Sequence, residues 1–149
     1  MKKILAALAC GVLPVASIAA PGCIKRSPAH TVALLELYTS EGCSSCPPAD
    51  RYLRSFREGA NAALVPDHVV PLALHVDYWD YIGWKDKYAK RDFTERQRWL
   101  TAQAGEKTIY TPEFFVNGRE LREWGSGVAT AVKWINELPA RADIEIEHG

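Results

Sequence analysis

Thr31-Val32-Ala33-Leu34-Leu35-Glu36-Leu37-Tyr38-Thr39-Ser40-Glu41-Gly42-Cys43-Ser44-Ser45-Cys46-Pro47-Pro48 is expected to open the folded domain of a 149-residue chain. The first eight of these residues are nearly all apolar and are bounded by turn-formers, the signature of a strand buried on both faces of a sheet. Beyond the cysteines, Ala49, Leu53 and Phe56 recur at helical spacing and Gly59 closes the segment. Pro47 and Pro48 suit the beginning of a helix, because proline fixes φ and lacks an N–H that a first turn would leave unpaired. The stretch predicts a strand, a cysteine-bearing turn and a helix.

The pattern continues downstream. Pro71 is followed by the apolar run 72–76, which predicts a second central strand with the proline at its first position. Residues 77–84 are aromatic and irregular, and read as a long connection. Asp92, with Glu95 three residues on, predicts an N-cap; Phe93, Leu100 and Ala104 mark one helix face and Gly105 stops it. Two strand-like runs, 113–116 and 119–124, are joined by Asn117-Gly118, a pair that supplies positive φ for a tight hairpin. Ser126 is expected to cap a last helix, with Val128, Ala131, Val132, Ile135 and Leu138 on its apolar face and Pro139 at its end. Right-handed crossovers make the first two strands parallel, and the hairpin adds antiparallel strands to the same sheet. The fold class is α/β: a central mixed sheet with helices on both faces, one domain over residues 31–138 and a tail over 139–149.

Composition narrows the function classes. With 48% hydrophobic and 24% charged residues the chain is neither disordered nor a disulfide-dense miniprotein. Eighteen basic residues balance eighteen acidic ones, which argues against a nucleic-acid partner. Lys2 and Lys3, the apolar run 4–13 and the small residues ending at Ala20 form the three parts of a secretory signal over residues 1–20. Its removal takes two lysines and no acids, so the mature charge is 16 − 18 = −2. The expected location is periplasmic or secreted, where disulfides persist. Cys10 leaves with the signal and Cys23 remains, as a lipid attachment point or as a free or intermolecularly paired thiol. Contact with a membrane is expected only if Cys23 is lipidated. The mature length supports its own core, so a monomer is expected.

The chemistry lies in Cys43 and Cys46. A cysteine at a helix N-terminus has its thiolate stabilised by unpaired N–H groups and the helix dipole. Cys43 would then attack a substrate disulfide and Cys46 would resolve the mixed intermediate. The Ser44-Ser45 pair adds no charge, and Glu41 opposes an extreme thiolate. Zinc sites use the same spacing, but the sequence has no second cysteine pair or His-x-x-x-His to complete four ligands, and His68 and His75 read as packing residues. An inert structural disulfide is the other alternative. Neither a metal nor an organic cofactor is called for. The partner implied is a disulfide- or thiol-containing protein or small molecule.

Ile109-Tyr110-Thr111-Pro112 directly precedes the hairpin, and the order of elements resembles the thioredoxin superfamily. That resemblance implies a cis Pro112 facing the cysteines and a Thr111 backbone that pairs with an extended substrate. The words Leu37-Tyr38-Thr39-Ser40-Glu41-Gly42-Cys43-Ser44-Ser45-Cys46-Pro47-Pro48-Ala49-Asp50, His75-Val76-Asp77-Tyr78-Trp79-Asp80-Tyr81-Ile82-Gly83-Trp84-Lys85-Asp86 and Tyr110-Thr111-Pro112 resemble the secreted thioredoxin-like family known as domain of unknown function 1223. Within it, Asp77, Trp79 and Trp84 would shape a substrate face near Cys43 or form a packed aromatic connection. Two departures stand out. Glu113 occupies a position where the family pattern implies glutamine, and the chain is shorter than relatives that continue into a C-terminal β-rich region, of which residues 144–147 would be the start.

Overall fold

The computed structural model describes residues 23–148; the predicted signal segment and Cys10 lie outside them. β1 (Cys23–Arg26) leads into β2 (Ala33–Thr39), whose side chains are almost all buried. α1 (Pro47–Glu58) follows the cysteine turn, and β3 (Val69–His75) returns parallel to β2. After the connection come α2 (Arg91–Gln103), the β4 (Glu113–Val116) and β5 (Arg119–Glu120) hairpin, α3 (Trp124–Asn136) and β6 (Glu145–His148). The main sheet has the order β3-β2-β4-β5, with β4 antiparallel to β2 and β5 antiparallel to β4.

Alternation along β2 separates two cores, because successive side chains leave opposite faces of a strand. Leu35 and Leu37 face α1 and α3, meeting Ala49, Phe56, Val128 and Val132. Tyr38 faces the other side with Phe115 and Leu100, where α2 covers the sheet. Helices therefore cover both faces, and the architecture is thioredoxin-like. Glu36 shares the α2 face and is fully buried, where Arg96 grips it through Nε at 2.6 Å and a second nitrogen at 3.1 Å. A bidentate guanidinium is the partner that makes a buried carboxylate tolerable.

Several expectations are corrected. β3 is an edge strand, with Val70 and Leu72 each 39% exposed, and Pro71 is its third residue. An edge tolerates proline because the missing N–H faces no neighbour. The N-cap of α2 is Lys90, and Asp92 lies in the first turn, where its charge complements the helix dipole. β5 stops at Glu120, and α3 begins at Trp124, ahead of Ser126. Trp124 packs 5.3 Å from Tyr52 and 5.2 Å from Phe114, so burial of its ring draws the helix start forward. Leu138 lies past the helix and is exposed. Asn117 (φ 47°) and Gly118 (φ 78°) form the tight turn as expected. The leader and tail join: β1 and β6 pair antiparallel as a separate two-stranded sheet.

Candidate redox site

Cys43 and Cys46 form a disulfide, with Cys46 as the N-cap of α1 and Cys43 three residues earlier in a turn. Three backbone bonds shape that turn: Cys43 N–H to Ser40 O at 3.1 Å, Cys46 N–H to Cys43 O at 3.2 Å, and Asp50 N–H to Cys46 O at 3.1 Å. Pro47 and Pro48 take the first two helical positions. Two of the N–H groups that normally stand free at a helix start are thus absent, and the expected helix contribution to a Cys43 thiolate is diminished. A different donor stands near, since the Ser45 hydroxyl oxygen lies 3.5 Å from Cys43 Sγ.

The Thr111–Pro112 peptide is cis. Ser45 Oγ reaches the Thr111 carbonyl at 3.5 Å, and Trp79 Nε1 donates to Thr111 Oγ1 at 2.8 Å. The fold therefore draws Cys43, Thr111, Pro112 and Trp79 into one neighbourhood, with Cys46 covalently joined to Cys43. Asp77 is engaged elsewhere: its carboxylate accepts the Thr94 hydroxyl of α2 at 2.6 Å.

The aromatic connection clasps the cysteine turn. A Cβ at Gly42 would lie 3.2 Å from both Ile82 Cδ1 and Trp79 Cβ, so a side chain here would have to push the connection back by a few tenths of an ångström. Trp84 Nε1 donates to Glu41 Oε2 at 3.0 Å. Asp86, almost wholly buried, accepts the Glu41 N–H at 2.9 Å, the Tyr88 N–H at 2.9 Å and His75 Nδ1 at 2.6 Å. Burial pushes the Asp86 carboxyl up, but the bonds from Glu41, His75 and Tyr88 outweigh it and hold it below its ordinary value. Alongside, Glu41, Asp50, Arg54, His75 and Tyr88 line a groove of about 590 Å³ on the flank of α1. A larger groove, about 730 Å³, lies away from the cysteines between β5 and α3.

Gln97 of α2 braces the other side. Its amide donates to the Tyr110 carbonyl at 2.8 Å and to Glu113, and accepts the Tyr78 hydroxyl at 3.2 Å. Asp86, Gln97 and Ser45 were not singled out by sequence reasoning. Each works by meeting a group distant in the chain, and no spacing rule marks such a residue; Asp86 falls only at the end of the second family word.

Glu113 is 1% exposed. Burial pushes its carboxyl up to about 7, with the Gln97 amide opposing and the Glu120 charge adding. The native state thus binds more protons than the unfolded chain between the ordinary 4.5 and about 7, and stability falls as pH rises through that window. Glu113→Gln is expected to remove this slope and to stabilise the protein at pH 8 by roughly 2 to 3 kcal/mol over its effect at pH 4. Urea unfolding at the two pH values measures it, and an equal effect at both would refute the assignment.

Among the described residues no three His, Cys, Asp or Glu side chains are grouped to hold a metal ion, and no helix is long and apolar enough to cross a membrane. What the fold and site define is a thioredoxin-like domain with a Cys-x-x-Cys disulfide beside a cis-proline loop. Residues 34–149 match the family model described as protein of unknown function DUF1223, and the chain belongs to that family. No curated protein matches. A crystal structure of a protein from Agrobacterium tumefaciens is similar at 38% identity and a TM-score of 0.57, covering 72% of this chain and 45% of that one. The chain thus spans less than half the length of that relative.

Proposed function

We propose that this protein is an exported thiol-disulfide oxidoreductase acting on protein or small-molecule disulfides. The observation that carries the reading is the placement of Ser45, which touches both Cys43 Sγ and the Thr111 carbonyl and so joins the cysteine pair to the cis-proline loop. In the reducing direction the Cys43 thiolate attacks one sulfur of a substrate disulfide, and the other leaves as a thiolate. Cys46, once deprotonated, attacks Cys43 Sγ, restoring the internal disulfide and releasing the second substrate thiolate. Thr111 and Pro112 form the docking loop and Trp79 fixes it through Thr111 Oγ1, while Asp77 braces the connection against α2 through Thr94.

The rival reading, a binding module with a structural disulfide, is favoured by burial: Cys43 is 3% exposed and Cys46 is fully buried. Catalysis separates the two. The protein should accelerate exchange between glutathione and a disulfide-bonded protein, and the double variant Cys43→Ser/Cys46→Ser should not. Equal rates with and without the protein would remove the enzyme reading.

A further inference from the structure

We infer that Ser45 is a positioning residue whose single hydroxyl proton links the redox state of Cys43 to the docking of substrate at Thr111. The inference rests on the oxidoreductase reading and goes beyond it. Ser45 Oγ lies 3.5 Å from Cys43 Sγ and 3.5 Å from the Thr111 carbonyl oxygen. A hydroxyl has one proton to give, so it serves one of these acceptors at a time.

In the disulfide state, Cys43 Sγ is a neutral, weak acceptor, and the carbonyl is the better one. The proton then points at Thr111 O and occupies the group that an incoming extended segment would use. Reduction inverts the preference. Two electrons from a pair of substrate thiols break the Cys43–Cys46 bond as the substrate sulfurs join. Of the two protons, one stays on Cys46 and one passes to solvent, leaving Cys43 as a thiolate. An ionised sulfur outcompetes a neutral carbonyl for a hydroxyl, because charge-assisted hydrogen bonds are the stronger ones. The proton turns to Cys43 and Thr111 O is freed. Because one oxygen already stands beside both acceptors, the change requires only rotation of the O–H bond.

The local chemistry gives this hydroxyl its weight. Pro47 and Pro48 withhold two N–H groups, and the Cys46 N–H is taken by the Cys43 carbonyl. Three carboxylates flank the turn, Glu41 held by Trp84, Asp50 held by Thr39, and Asp86 behind the Glu41 amide. None of these assists a thiolate, whereas the Ser45 hydroxyl stands beside Cys43 Sγ as a side-chain donor.

The test uses the full chain carrying Cys10→Ser and Cys23→Ser, so that Cys43 and Cys46 are the sole thiols. Alkylation of reduced Cys43 by iodoacetamide, followed by peptide mapping, should fall roughly three- to tenfold at pH 6.5 in Ser45→Ala and recover in Ser45→Thr. Oxidised Ser45→Ala should show a lower KM for a two-cysteine peptide than the parent, because Thr111 O is already free. A merely structural role would raise KM and slow alkylation together. Unchanged alkylation, failure of threonine to restore it, or a raised KM would each overturn the inference. If the parent exchanges no disulfides, the oxidoreductase reading fails while the alkylation arm still reports on Ser45.

Discussion

Cys46→Ser is expected to convert the protein into a trap: incubated with a disulfide-bonded substrate, it should accumulate a mixed disulfide through Cys43 that persists for hours. In the parent chain Cys46 lies three residues from Cys43 and already bonded to it, so resolution is intramolecular. Losing an intramolecular nucleophile held in contact is a large effect. Well-oriented groups have effective concentrations far above any thiol in solution, so release should slow by about a thousandfold or more. Non-reducing electrophoresis and intact mass read the adduct directly. In the Cys10→Ser/Cys23→Ser chain, where Cys46 is then the one thiol left, Cys43→Ser should form none, because Cys46 is wholly buried. Adducts forming equally on both variants would show that the two cysteines have no division of roles.

The second large effect is expected at Asp86. Its carboxylate collects two backbone N–H groups and an imidazole, one of them from Glu41, two residues before Cys43. Asp86→Ala would leave those donors to whatever water can reach them and would unpin the cysteine turn from the aromatic connection. A loss of about 2 to 4 kcal/mol is expected, since donors stripped of a charged acceptor cost more than neutral pairs. The pH dependence gives a cleaner signature. The carboxyl is held below its ordinary 3.8, so its contribution is fully present above that value and is lost as pH falls through its folded one. The parent should therefore lose stability relative to Asp86→Ala as the medium is acidified below about pH 4. Urea unfolding at pH 7 and pH 3 tests this, and a difference independent of pH would show that the carboxylate charge is not what holds the turn.

How much of this was legible beforehand follows the range of the interactions. β2, the cysteine turn and α1 were readable because an apolar run, a double proline and the 49-53-56 spacing are all local. Asn117-Gly118 was readable for the same reason, its positive φ being a property of the two residues. β3 was misplaced because an apolar run looks alike at an edge and in a sheet centre; only its neighbours distinguish them. The β1 and β6 pairing joins short polar strands from opposite ends of the chain, a contact with no periodic trace. At the site, Cys43 and Cys46 announced themselves by spacing, while Thr111 and Pro112 entered through family resemblance. Ser45, Asp86 and Gln97 acquire meaning only when folding brings a carbonyl or an amide to them. The parts of the aromatic connection divide in the fold: Trp79 meets Thr111, whereas Asp77 turns to Thr94.

If Cys43 and Cys46 are a working redox couple, their disulfide must open and close in the folded protein. Equilibration of the Cys10→Ser/Cys23→Ser chain with a graded series of reduced and oxidised glutathione measures this directly, the free thiols being counted after acid quenching. One reversible two-electron transition is expected, reached from either direction, with two thiols appearing together on Cys43 and Cys46. A disulfide that stays closed across the whole glutathione series, opening only when the protein is unfolded, would contradict it and establish the bond as structural.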